Sequence, residues 1–206
     1  MGFRGRGGCW SWPFAREYLR NYNAGGKSLP NIVNSGPPGC SETTYSFDWG
    51  DNHFVVLNQY YDGKSDEGSD GDIVPELLAW LENDLTTNNK KYTFVFGHEP
   101  LIAIPDMDNG RLRHQDDSLN KYQKNSHLFH QLLRRLKATA YICGHTHNTS
   151  ISKINDIWQI DVGHARGIEA TFPALLVRGI SETLTEAQKN NESEREAFAR
   201  YYNENA

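Results

Sequence analysis

The sequence predicts an α/β fold, a layered β-sheet sandwich flanked by helices, and three observations carry that prediction. Apolar runs of strand length alternate with segments of helical period, in the order β-β-α-β-α-β. Aromatic residues are plentiful, with 5 Trp, 10 Tyr and 9 Phe, and supply large buried surfaces despite a polar mean hydropathy of -0.69. A chain of 206 residues is long enough for one core and short for two.

Residues 1–42 are glycine-rich and irregular, interrupted by one short helix from about Trp12 to Asn21. Thr44 to Trp49 and His53 to Gln59 are rich in β-formers and flank Gly50-Asp51, a tight-turn dipeptide in reversed order, so they predict a hairpin. The acidic stretch Asp62 to Asp72 predicts a surface loop. Ile73 to Leu85 places Leu77, Leu78, Leu81 and Leu85 on one helical face, which predicts a helix docked on a sheet. Tyr92 to Phe96 is a continuous apolar run ending at Gly97, as expected of a strand covered on both faces. A polar loop, Pro105 to Asp117, leads to a second helix over Ser118 to Leu136 with Leu128, Leu132, Leu133 and Leu136 as its buried stripe, and then to the strand Ala138 to Cys143, whose cysteine reads as core. Further strands are expected at Ile151 to Lys153, Ile157 to Val162 and Phe172 to Arg178. The chain divides into the irregular segment 1–42, a folded unit over 43–180 and a charged tail, 181–206.

Charge and cysteine content narrow the partners. Lys plus Arg number 21 against 26 Asp plus Glu, giving a net charge of -5 and no basic footprint for nucleic acid or an anionic membrane. No apolar run approaches the roughly 18 residues of a membrane span, and no apolar stretch follows the basic N-terminus. Three cysteines without CxxC spacing argue against a disulfide framework and make a reducing, cytoplasmic setting the default, while secretion by a signal further upstream stays open.

Chemistry concentrates where two strands end, at Phe96-Gly97-His98-Glu99-Pro100 and at Cys143-Gly144-His145-Thr146-His147. Ligands of open α/β sheets gather beyond the carboxyl ends of strands, where glycine allows a sharp turn. Three histidines are therefore expected to converge. In an extended segment His145 and His147 would point to the same side, and neutral imidazole is the commonest metal ligand.

At these residues the chain resembles the calcineurin-like metallophosphoesterase family, which includes purple acid phosphatases and phosphodiesterases. The resemblance covers about Thr43 to Arg178 and includes Tyr45 to Gly50 leading into His53 to Asn58, which looks like the family's central hairpin. It implies that His98 and His145 ligate one metal and His147 another, with two divalent or trivalent ions (Zn, Mn or Fe) in a complete domain and at most a partial site here. It also implies a small-molecule or protein phosphoester as substrate, hydrolysed by metal-activated hydroxide. Family motifs expected upstream, which provide a bridging Asp, most ligands of the first metal and a catalytic His, are not recognised, so the catalytic residue is unassigned. Gly50-Asp51-Asn52-His53 looks like a scrambled Gly-Asn-His, but Phe54 stands where an acid is expected, and alternation puts His53, Val55 and Leu57 on one strand face. On this reading the chain corresponds to the C-terminal half of such a domain, and its own activity should be negligible. The alternative is a noncatalytic, truncated metal-binding or interaction module.

Arg111, Arg113 and His114 are candidates to meet a phosphate, against the reading of this stretch as a solvated charged loop. His164, at a further strand end, and Asn148 are candidates to orient the metal ligands. Asp161 or Asp106 could complete a centre. With no strands from a first half, Tyr92 to Phe96 and Ala138 to Cys143 are expected to lack flanking partners, and the first forty residues are expected to be poorly ordered.

Overall fold

A computed structural model describes residues 12–162 apart from Asp108 and Arg113. His164, the expected strand at Phe172 to Arg178 and the tail 181–206 lie outside the described residues. The chain forms one mixed sheet of seven strands with flanking helices, an α/β fold. In sequence the elements are α1 (Trp12–Tyr22), β1 (Ile32–Ser35), β2 (Tyr45–Trp49), β3 (Asn52–Val56), α2 (Pro75–Thr87), β4 (Tyr92–Phe96), α3 (Gln123–Arg135), β5 (Ala140–Cys143), β6 (Thr149–Ile154) and β7 (Ile157–Val162). Across the sheet the order is β1-β2-β3-β4-β5-β7-β6. The four middle strands, β3, β4, β5 and β7, run parallel, and antiparallel strands close both sides. None of the described helices is long and apolar enough to cross a membrane.

The hairpin β2–β3 forms as its sequence predicts, with Trp49 opposite Asn52. The expected shortage of partners for β4 and β5 does not hold. Each is flanked on both sides, β4 by β3 and β5, and β5 by β4 and β7. Their side chains alternate between two cores. Val55, Leu57, Val95 and Tyr141 face α2 and α3, whereas Phe54, Phe94, Ala140 and Ile142 face the opposite side with Trp158 and Ile160. That two-sided burial is why β4 reads as a continuous apolar run.

Three local departures have physical reasons. β1 lies where irregular chain was expected, because its Ile-Val-Asn-Ser sequence is half-exposed at an edge and shows no alternation; Trp80 Nε1 donates to Ser35 O at 2.6 Å and ties it to α2. Helix α2 starts two residues late because Pro75 takes its first position, where a missing N–H costs nothing. In α3 the buried stripe is Phe129, Leu132 and Leu133 with Leu136 packed against it, while Leu128 is 40% exposed. Positions 129, 132, 133 and 136 follow i, i+3, i+4, i+7, so the aromatic ring displaces Leu128 from the stripe. A single turn, Leu119–Lys121, replaces the expected start of that helix, and another, Gln115–Asp117, closes the loop before it.

His53 is 1% exposed and enters the core beneath α2 on the face it shares with Val55. Its Nδ1 lies 2.7 Å from Asp48 Oδ1 and its Nε2 2.9 Å from Asp84 Oδ2. Asp84 Oδ1 also accepts from Ser46 Oγ at 2.6 Å and from Asn34 Nδ2 at 3.1 Å, so one carboxylate on α2 binds β1, β2 and β3 together. Within Gly50-Asp51-Asn52-His53, the stretch that looks like a scrambled Gly-Asn-His, Asp51 sits in an exposed turn and His53 is held in this clasp.

Candidate metal and phosphate site

Parallel pairing of β4 with β5 sets Phe96 opposite Ile142, so both strands end at the same edge of the sheet. The pairing continues past the strands: Gly97 N donates to Ile142 O and Gly144 N donates to His98 O, each at 3.0 Å. Those bonds bring His98 against His145, with Nε2 to Nδ1 at 2.8 Å and ring centroids 4.7 Å apart. His147 lies instead beside His114, with centroids 5.4 Å apart, and His114 is 5.1 Å from His145.

The segment carrying His145 and His147 is turned, not extended as its spacing predicts. Both residues have left-handed backbone, φ 64° and 56°, a conformation that non-glycine residues visit rarely and functional loops favour. Thr146 between them is fully buried and its hydroxyl donates to Asp161, which anchors the turn. The glycines have different jobs from the turning role expected of them. Gly97 is needed for space, because a Cβ there would lie 2.3 Å from Tyr141 Oη and 2.8 Å from Gln59 Nε2; at Gly144 a Cβ would meet nothing.

Gln59 is the residue that sequence reasoning missed. Its Oε1 accepts from both His98 N and Glu99 N at 2.6 Å, and its Nε2 donates to Tyr141 Oη at 2.7 Å. Tyr141 Oη donates in turn to Glu99 O. A buried amide and phenol thus hold the peptide that carries His98. Glu99, also unanticipated, is buried against Gly71 N at 3.1 Å and Lys121 Nζ at 3.1 Å. Burial raises its carboxyl to about 7, with Lys121 opposing.

Burial, reinforced by His145 and His147, pushes His98 down to about 4. Burial lowers His145 as well, against the pull of Asp117. Both rings are therefore neutral near pH 7, the state in which imidazole ligates a metal.

Arg111 is exposed, and Arg113 is outside the described residues. His114 is exposed, with Nδ1 3.3 Å from Asp117 Oδ2. Asn148 is buried and its Nδ2 donates to Ile104 O, fastening the turn to the loop after β4. Asp106 accepts from Thr149 N and Asn109 N.

The sequence profile described as calcineurin-like phosphoesterase matches residues 10–149, well over half of the chain. The chain belongs to the calcineurin-like phosphoesterase family. The matched span takes in every element from α1 to β5. Among solved structures 13 chains match. One, described as "GAP50 the anchor in the inner membrane complex of Plasmodium", is 14% identical with a TM-score of 0.39, over 70% of this chain and 42% of that chain. The present chain therefore spans less than half the length of that protein. No curated protein matches it significantly.

The donor atoms gathered among the described residues suit a single ion. Neutral imidazoles at His98 and His145 are apt ligands, and His145 Nε2 is buried without a hydrogen bond. A pair of ions roughly 3.5–4 Å apart needs a bridging carboxylate. Among the described residues, one group of three His, Cys, Asp or Glu side chains gathers its ligand atoms within 4.8 Å, and its single carboxylate is Asp117.

Proposed function

We propose that the chain provides the histidine-bearing half of a metal-dependent phosphoester hydrolase site, with His98, His145 and His147 as metal ligands and His114 and Arg111 toward the phosphate. The observation that supports it most is the pairing of His98 with His145 at 2.8 Å beyond two adjacent parallel strands of a calcineurin-like phosphoesterase. When bound, an ion such as Zn, Mn or Fe supplies Lewis acidity toward phosphoryl oxygens and makes water a better nucleophile. The chain's own residues do the positioning. Gln59 and Tyr141 fix the His98 backbone, Thr146 fixes the turn between His145 and His147, and His114 presents an exposed imidazole that can donate to a phosphate oxygen. A noncatalytic metal-binding module is the second reading, favoured by the single carboxylate in the one candidate ligand cluster among the described residues.

The test is phosphate binding with and without metal. Orthophosphate titrated into the Mn²⁺-loaded chain should bind at least about tenfold more tightly than to chelator-treated protein, a difference of about 1.4 kcal/mol. His145→Ala should erase that difference. Equal phosphate affinity in both states contradicts the hydrolase reading and leaves the noncatalytic module. Turnover of an aryl phosphate by this chain alone should stay close to the metal-only background.

A further inference from the structure

We infer that His114, Asp117 and His145 form a site for a single divalent transition-metal cation, zinc above all, in which the loop after β4 contributes the carboxylate. The inference rests on the hydrolase reading only for what the ion does, and it reassigns two residues of that reading: His114 ligates the ion instead of meeting the phosphate, and His98 orients His145 instead of ligating.

Local structure places the pair from the loop. Asp117 N donates to His114 O at 3.0 Å, closing a single turn that sets both side chains on one side, toward the end of β5. Asp117 Oδ2 then lies 3.3 Å from His114 Nδ1 and 3.4 Å from His145 Nε2, and the ligand atoms of all three residues lie within 4.8 Å of one another. Zinc takes imidazole nitrogen and carboxylate oxygen at roughly 2.0–2.2 Å, so neighbouring ligand atoms around a tetrahedral ion are roughly 3.3–3.6 Å apart. Both measured separations fall on that edge length, and both exceed that of a strong charge-assisted hydrogen bond.

Proton placement points the same way. His145 Nδ1 is 2.8 Å from His98 Nε2, so a single proton serves that contact. When His145 supplies it from Nδ1, its Nε2 is a bare lone pair, buried, without a hydrogen bond and facing a carboxylate oxygen. In that tautomer two acceptors face each other, a relation that a cation between them satisfies. His98 then becomes the acceptor that fixes the tautomer and orientation of a ligating histidine. Three protein ligands with an exposed His114 leave one position open, the pattern of catalytic zinc sites rather than closed structural ones.

Zinc chloride titrated calorimetrically into the full chain tests the site. The parent protein should bind about one ion, and Asp117→Asn and His114→Ala should each weaken binding at least about tenfold, since even residues that merely orient a ligand cost 10–100-fold. Asp116→Asn, one position away and exposed, should leave affinity unchanged. Far-UV circular dichroism confirms that each variant is folded. Affinity within about twofold of the parent in Asp117→Asn overturns the site. If zinc is then lost in His98→Ala and His147→Ala, the hydrolase reading survives that failure. If Asp117→Asn abolishes zinc binding but zinc never promotes phosphate binding, the site stands and the hydrolase reading falls.

Discussion

Replacing Asp84 by alanine should destabilise the protein by about 3–5 kcal/mol, because it breaks a buried ion pair from one side. Asp84 and His53 are both almost wholly enclosed, and the variant leaves His53 Nε2, the Ser46 hydroxyl and the Asn34 amide without the carboxylate that binds them. Burial by itself would lower the basicity of His53, but the carboxylates of Asp84 and Asp48 at its two nitrogens outweigh it and raise the pKa. Protonated at both nitrogens, the ring donates to both acids, so the charged form is the one the fold prefers. A group whose folded pKa is raised stabilises most below its unfolded value, about 6.5, and that stability is lost as pH climbs through the folded value. His53→Gln should therefore be less stable than the parent at about pH 6, with the gap narrowing toward about pH 9. Urea unfolding at the two pH values measures both effects, and a gap that widens with pH would contradict the charged clasp.

Gly97→Ala should damage fold and site together. The new methyl would lie 2.3 Å from Tyr141 Oη and 2.8 Å from Gln59 Nε2, both in buried side chains that cannot swing into solvent. Overpacking of this kind costs about 1–3 kcal/mol, and each buried polar group that loses its partner adds about 1–3. Gln59 Oε1 receives both His98 N and Glu99 N, so its displacement shifts the metal-facing histidine as well. Reduced thermal stability and weakened metal binding should appear together. Gly144→Ala, where a Cβ meets nothing, should be far milder on both counts.

The contrast between these two glycines shows what could be read from the sequence and what could not. Both stand in the same Gly-His pattern, and the pattern correctly marks strand ends. Which glycine is sterically required depends on Tyr141, 44 positions from Gly97 and brought beside it only by the parallel pairing. Strands β4 and β5 were legible because burial on both faces demands unbroken apolar runs. β1 was not, since an edge strand held by a tryptophan donor and an asparagine needs no periodic pattern. Among site residues, the histidines announce themselves by type and spacing. Gln59 does not, because an amide that binds two backbone N–H groups resembles any other glutamine until the chain folds. Asp117 was visible only as one acid among several in a polar loop, and its meeting with His145 is tertiary. Left-handed backbone at His145 and His147 likewise depends on Thr146 being drawn into the core by Asp161, a contact across 15 positions.

Imidazoles at the ends of β4 and β5 are proposed to hold a metal. Calorimetric titration of Zn²⁺ and Mn²⁺ into the parent chain and into the His98→Ala, His145→Ala, His147→Ala triple variant tests it most directly. The parent should bind about one ion and the triple variant none measurably, a loss of at least about a hundredfold. Unchanged affinity and stoichiometry in the triple variant would contradict it.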